Sequence, residues 1–200
     1  MIGTSGAWPH LALALWIPFS LLAFFIWRPE RAAVVVILGA AMFLPERGGE
    51  GVVPSTYFRF PLIPYLDKEN LPYVCVLFGL LLRAPGRLRN RPRERWFTVL
   101  VILLIIGAFG TALTNGDTLS YGKYRFHVIQ GLTFFKDGGF MAFDSLLRVV
   151  LPFFIGLTLF RSAKSVRDLL AAFAVAGLLY IPFVLVEIRM SPQFHNWIYG

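Results

Sequence analysis

Hydrophobic residues occur along this chain in long runs rather than at alternating positions. A helix of about 20 apolar residues spans the roughly 30 Å hydrocarbon core of a bilayer, so each run is a candidate transmembrane helix. Six runs predict six spans, over residues 11–27, 32–44, 71–82, 96–113, 146–160 and 169–186. The pattern indicates an all-α fold, a polytopic transmembrane helix bundle that forms a single domain over residues 1–200.

Two of these runs are short for a membrane crossing. Residues 32–44 make 13 positions, and a helix of that length extends only about 20 Å. This run either gains Pro45 and a snorkelling Arg31 at its ends or does not cross fully. Residues 71–82 present the same choice. Both segments are therefore either spans that borrow flanking residues or re-entrant segments.

The basic residues are concentrated in three turns, 28–31, 83–95 and 161–168. These turns contain 11 Lys and Arg residues and three acidic residues, and the stretch RAPGRLRNRPRER at 83–95 alone has six arginines. Because Lys and Arg near span ends are retained in the cytoplasm, all three turns are predicted to lie inside and the N-terminus outside. The other eight basic and eight acidic residues then face outward, mainly in two aromatic-rich connections at 46–70 and 115–145.

Composition favours a membrane protein over a soluble one. Hydrophobic residues make up 57% of the chain and charged residues 15%, against roughly 25% charged residues in soluble domains. The stretch 83–95 alone would fit a basic linker or a nucleic-acid patch, and the net charge of +8 would fit an acidic partner. Its whole excess lies in the three inner turns, however. We therefore expect membrane lipids, and no nucleic acid, as partners.

Few residues are suited to metal or cofactor chemistry. Cys75 is the single cysteine, and His10, His127 and His195 are widely separated in the sequence, without the spacing of a ligand set. No nucleotide-binding loop or nucleophile elbow is present. We therefore expect no metal and no cofactor, and the oligomeric state stays open.

The candidate anion-binding residues are basic side chains near the predicted outer side. Arg148 follows Asp144 by one helical turn, so it either pairs with that carboxylate at the membrane rim or holds a phosphate through bidentate hydrogen bonds. Lys123 and Arg125 lie two positions apart in the second outer connection. They are candidate substrate-binding residues or anchors for lipid headgroups.

The candidate acid–base residues follow the last apolar run. Glu187 near the outer boundary is costly unless it is paired or hydrated, so it is either a general base or a member of an ion pair. Arg189 is a candidate substrate-binding residue. His195 is a candidate acid or base near neutral pH, or a surface or packing residue.

Two stretches carry a resemblance to a family. VEIRMSPQFHNWIYG at 186–200, together with the basic turn and apolar run before it, resembles the middle of bacterial O-antigen polymerase and ligase-like membrane proteins of exopolysaccharide clusters. GLTFFKDGGFMAFDSLLRVVLPFFIG at 131–156 resembles the segment of that family in which an Asp precedes a span ending in Pro-Phe. The resemblance covers about the second half of the chain. The matching positions are Asp144, Arg148, Glu187, Arg189, Ser191, Pro192, His195, Tyr199 and Gly200.

The resemblance implies a bacterial inner-membrane enzyme, multi-pass, that polymerises or ligates undecaprenyl-pyrophosphate-linked glycans on the periplasmic side without metal or nucleotide. It implies that arginines bind the pyrophosphate and that Glu187 or His195 assists the acceptor. Members of this family have about ten or more spans and a large periplasmic loop. The 200 residues are therefore expected to be an incomplete N-terminal part, without polymerase activity alone. The alternative is a non-catalytic membrane scaffold or a component of lipid or polysaccharide transport.

Overall fold

The computed structural model describes residues 7–44, 66–89, 95–121 and 127–190. Helices make up 83% of these residues, which agrees with the predicted all-α class. The helices are α1 (Ala7–Ile26), α2 (Pro29–Phe43), α3 (Leu71–Arg83), α4 (Pro85–Arg89), α5 (Arg95–Thr114), α6 (Phe134–Ser145), α7 (Leu151–Leu159) and α8 (Ala163–Met190). A π-helical turn, Leu146–Val150, joins α6 to α7 without a break. A small antiparallel hairpin of β1 (Leu119–Tyr121) and β2 (His127–Ile129) pairs Leu119 with Ile129.

Three helices are long and apolar enough to cross a membrane. They are Arg95–Thr114, the continuous helix Phe134–Leu159, and Ala163–Val186 within α8. The apolar helices Leu11–Ile26 and Leu71–Arg83 are shorter. The chain is thus indicated to be a membrane protein, whereas six spans and an outer N-terminus stay predictions.

Several helices begin earlier in the chain than the apolar runs predict. α2 begins at Pro29 instead of residue 32, because proline suits the first turn of a helix, where its missing N–H costs nothing. The predicted span at 146–160 is the second half of a helix that begins at Phe134. α8 begins at Ala163, six residues before 169. Charged and polar residues at these helix starts hid them from a hydropathy pattern.

The early start at Phe134 has a local cause. Thr133 is the N-cap residue and has extended backbone angles. Its N–H donates to the Asp137 carboxylate at 2.6 Å, and the Asp137 N–H donates to the Thr133 carbonyl at 2.9 Å. A carboxylate in the first turn also opposes the positive end of the helix dipole. The part of the second outer connection from 134 to 145, predicted to be too polar to span, is therefore helical.

The chain divides into two compact units, Met1–Arg91 with Phe154–Gly200, and Pro92–Phe153. In the described part of the first unit, α1, α2 and α3 pack on one another around small residues. An added Cβ at Gly79 on α3 would lie closer than 3.0 Å to ring carbons of Phe24 on α1. An added Cβ at Gly39 on α2 would lie 3.0 Å from the Trp16 indole. Small residues let helix backbones approach closely, as in membrane helix pairs.

In the second unit, α5 packs against α6. An added Cβ at Gly138 would lie 2.9 Å from the Phe109 ring and 3.2 Å from Ala112. Phe109 also contacts the Phe134 ring, with centroids 5.3 Å apart. After α5, the Leu132 N–H donates to the Asn115 carbonyl at 2.8 Å. These contacts close the hairpin segment onto the turn that ends α5.

Candidate functional site

Arg148 is an ionisable side chain inside a described apolar helix. It lies in the π-helical turn Leu146–Val150, in the middle of the helix Phe134–Leu159. The Leu151 N–H donates to the Leu146 carbonyl five residues back, and this longer bond widens the turn. Single π turns inside α-helices occur frequently at functional sites.

Arg148 is held by the carboxylate one turn before it. Its Nε donates to Asp144 Oδ1 at 2.7 Å. The exposed fractions of the two side chains are 31% and 38%, so the pair is only partly covered by protein. Of the two alternatives for Arg148, the structure shows the ion pair with Asp144.

The other predicted site residues are distributed differently. Arg189 is exposed near the end of α8, in the first unit, and the helix continues through Glu187. The predicted span end at residue 186 is therefore followed by another helical turn. Lys123, Arg125 and His195 lie outside the described residues. Of the predicted set, the structure brings together Arg148 and its predicted partner Asp144.

A second polar region lies in the first unit, where the starts of α2 and α8 meet α4. It is a cleft of about 340 Å³. Each of the three basic turns predicted to lie inside contributes to it, including Glu30 from the first and Arg87 from the second. The residues that line it are Glu30, Gly86, Arg87, Thr158, Leu159, Arg161, Ser162 and Ser165. We call it the basic cleft.

An ion pair closes one side of the basic cleft. Arg87 Nη1 donates to Glu30 Oε1 at 2.5 Å, across 57 residues of sequence. Partial burial opposes ionisation of Glu30, but the Arg87 hydrogen bond, a backbone hydrogen bond and the charges of Arg87 and Arg28 outweigh it. The pKa of Glu30 is therefore lower than its ordinary value. The carboxylate is ionised at neutral pH and holds α4 against α2.

Residue-by-residue interpretation of the sequence missed the basic cleft. The arginines of 83–95 and 161–168 were interpreted only as signals of orientation. The signal that identifies the cleft was nevertheless present, because three basic turns assigned to one side of a membrane must end near one another if their helices pack together. The contacts of α2 with α8 and of α3 with α4 bring that about.

Among the described residues, no group of three or more His, Cys, Asp and Glu side chains is placed to hold a metal ion. Cys75 is buried in α3. Two groups of polar side chains in the described ranges are considered as candidate sites, the Asp144–Arg148 pair and the basic cleft.

Comparisons with known proteins do not test the family resemblance. The O-antigen polymerase and ligase-like assignment stays a prediction from the quoted motifs at 131–156 and 186–200. No protein-family model matches the chain, and no curated protein or solved structure shows a significant match to it.

Proposed function

We propose that this protein is an integral membrane component of lipid-linked glycan assembly, which acts on undecaprenyl-pyrophosphate-linked glycans at the outer face of the bacterial inner membrane. The observation that carries the proposal is Arg148 in the π-helical turn of a helix long enough to span. An ionisable residue inside a membrane helix is costly, and such residues usually mark a substrate or ion site.

The geometry at Arg148 suits a diphosphate. The Asp144 carboxylate holds Nε and so fixes the plane of the guanidinium. Arginine binds phosphate oxygens through two parallel N–H donors, which adds orientation to charge. A positive charge at this point stabilises the negative charge that develops on a departing pyrophosphate.

The reaction that fits is transfer of a glycan from the lipid diphosphate to an acceptor hydroxyl. The hydroxyl oxygen attacks the anomeric carbon, the bond from that carbon to the phosphate oxygen breaks, and undecaprenyl pyrophosphate leaves with the bonding electrons. The acceptor proton passes to Glu187 or His195. Arg189, Lys123 and Arg125 are proposed to contact the donor, as the resemblance and their charge imply.

The second candidate function is a non-catalytic membrane scaffold. It is favoured by the Asp144–Arg148 pair itself, because a paired arginine has a structural role without any ligand. A transport component for lipid or polysaccharide is less well supported. It predicts charges inside several spans, and the segments 11–26 and 96–113 contain no Asp, Glu, Lys or Arg.

The experiment compares Arg148→Ala, Arg148→Lys and Asp144→Asn. Each variant is produced in cells as the whole natural protein, and the length of the glycan polymer is measured on a gel. Loss of a charge-assisted hydrogen-bond donor costs about 1.5–3 kcal/mol, or roughly 10- to 100-fold in donor affinity. We expect Arg148→Ala to abolish the ladder, with Arg148→Lys intermediate and Asp144→Asn least affected. Arg167→Ala, an exposed arginine on α8, is the control. Equal effects of Arg148→Ala and Asp144→Asn, or an unchanged ladder at normal protein level, would support the scaffold.

A further inference from the structure

The basic cleft lies at the turn between two helices that are long enough to cross a membrane. Thr158 and Leu159 end the helix Phe134–Leu159, Ser162 directly precedes α8, and Ser165 lies in its first turn. A turn between two consecutive apolar helices falls at the boundary between the hydrocarbon core and water. The cleft is therefore placed at the level of lipid headgroups.

Among the described residues that line the basic cleft, two are arginines and one is a carboxylate. Glu30 pairs with Arg87, so that carboxylate already offsets one guanidinium. Arg161 also lines the cleft, and its Nε donates to the Leu157 carbonyl at 2.9 Å, which is one of its interactions. This bond ties the base of the guanidinium to the end of α7. Arg28 adds positive charge near Glu30.

Hydrogen bonds hold three of the polar residues that line the basic cleft. Thr158 is 5% exposed, and its hydroxyl donates to the Phe154 carbonyl at 2.7 Å. Ser162 Oγ accepts from the Ser165 N–H, and Ser165 Oγ accepts from the Ser162 N–H, both at 3.1 Å. This reciprocal capping fixes the start of α8. The walls of the cleft therefore have a defined shape before any ligand enters.

We propose that the basic cleft binds a phosphate group, carried either by a membrane phospholipid or by a soluble phosphate compound. Arg161 and Arg87 supply the planar donors that phosphate oxygens prefer. The volume of about 340 Å³ is in the range of small-molecule sites, so it accommodates a phosphate with an attached group. Basic pockets between membrane helices on the cytoplasmic side are suited to acidic headgroups. This site is separate from Arg148 and does not depend on the glycan reaction.

Glu30 has a defined part in this proposal. The Glu30 carboxylate accepts a hydrogen bond from Arg87 in the absence of ligand. A bound phosphate oxygen would compete for the same donor. Glu30 is thus an internal competitor, and removing its charge should increase affinity rather than reduce it. A gain of affinity is informative because a poorly folded variant does not show one.

The test measures binding to the purified 200-residue chain in detergent. Native mass spectrometry gives the affinity for palmitoyl-oleoyl phosphatidylglycerol and for the matched phosphatidylcholine, and thermal unfolding is followed with inorganic phosphate and pyrophosphate. We expect Arg161→Ala to weaken binding about tenfold or more and Glu30→Gln to strengthen it. Two exposed arginines outside the cleft serve as controls, Arg167→Ala for α8 and Arg89→Ala for α4, and neither should change the affinity.

Each result either tests the proposal or identifies the compound that carries the phosphate group. Preference for phosphatidylglycerol that is lost in Arg161→Ala supports a phospholipid. Stabilisation by phosphate or pyrophosphate with the same dependence, and no preference between the two lipids, supports a soluble phosphate compound. The proposal is overturned if neither probe depends on Arg161, or if Arg167→Ala weakens binding as much as Arg161→Ala does.

Discussion

The three-helix cluster of α1–α3 and the long helix α8 bury their apolar side chains in opposite ways. In the cluster, Phe24 and Leu80 are at most 1% exposed, although α2 and α3 are too short to cross a bilayer on their own. α8 is long enough to cross, yet none of its described side chains in the spanning window is buried. Leu178, near its middle, is 67% exposed.

This difference separates two sources of stability. The cluster is held by van der Waals contacts between small and aromatic residues of the protein itself. A helix that is apolar all round requires either lipid or other protein around it. We predict that the bilayer supplies that environment for α8, which is long and apolar enough to cross it. Changes in the cluster should therefore affect unfolding, and changes in α8 should affect membrane insertion.

The largest effect is expected from Phe24→Ala. The ring fills the space above Gly79, and deleting a buried phenylalanine side chain typically costs about 3–5 kcal/mol. Unfolding of the purified chain in detergent by denaturant measures the change. Phe173→Ala on α8 is the matched control, because that ring is 53% exposed and should cost little. Similar losses at both positions would remove the distinction between the two regions.

Val175→Arg should reveal the dependence of α8 on the bilayer. Val175 lies near the centre of Ala163–Val186, where an arginine costs about 2.5–3.5 kcal/mol on the insertion scale. The inserted fraction is measured by glycosylation of acceptor sites placed on either side of the helix. Val166→Arg, in the first turn of the same helix, should insert normally. Full insertion of Val175→Arg would mean that α8 is surrounded by something other than lipid.

A pair of glycine changes tests how closely the helices pack. In Gly79→Ala the new methyl group meets the Phe24 ring, and overpacking of this kind costs about 1–3 kcal/mol. Gly177 on α8 has no atom within 4 Å of an added Cβ. Gly177→Ala should therefore be neutral or gain up to about 1 kcal/mol from helix propensity. Thermal unfolding measures the change in stability of both variants. An unchanged stability of Gly79→Ala would show that α1 and α3 lie farther apart than the contact of Gly79 with Phe24 implies.

The smallest effect concerns the Glu30–Arg87 pair. The folded pKa of Glu30 is lower than its ordinary value of 4.5, so the pair stabilises the fold above that value. The contribution is lost as pH falls through the folded pKa, and for a partly exposed pair it amounts to about 0.2–1 kcal/mol. Unfolding measured between pH 7 and pH 3 should show a smaller decline in Glu30→Gln than in the unchanged chain. An identical decline in both would assign the acid sensitivity to other carboxylates.

The sequence predicts long helices well and helix starts poorly. α5 agrees with the run at 96–113 within one residue at each end, because nothing but apolar side chains lies between its polar boundaries. α6 was missed as part of a span, since Lys136, Asp137 and two glycines interrupt the hydropathy pattern although capping at Thr133 continues the helix. Hydropathy detects burial in lipid and does not detect hydrogen-bonded helix starts.

The sites were predictable to different degrees. The Asp144–Arg148 pair follows from the i, i+4 spacing of a helix, and the structure shows it. The π-helical turn around it depends on backbone hydrogen bonding that no spacing rule reveals. The basic cleft combines residues up to 135 positions apart, from Glu30 to Ser165. The shared side of the three basic turns points to such a site, but the residues that line it follow only from the packing of α2, α4 and α8.

The central claim is that the three basic turns share one side of the membrane, the cytoplasmic side. Its most direct test is labelling of single cysteines in a Cys75→Ala background by a membrane-impermeant maleimide. Arg28→Cys, Arg89→Cys and Lys164→Cys report on the turns, and Asp117→Cys reports on the outer connection. We predict that Asp117→Cys reacts in cells whose outer membrane alone is permeabilised, and that the other three react only after the inner membrane is opened. Reaction of any one turn position before that step would contradict the shared inner side.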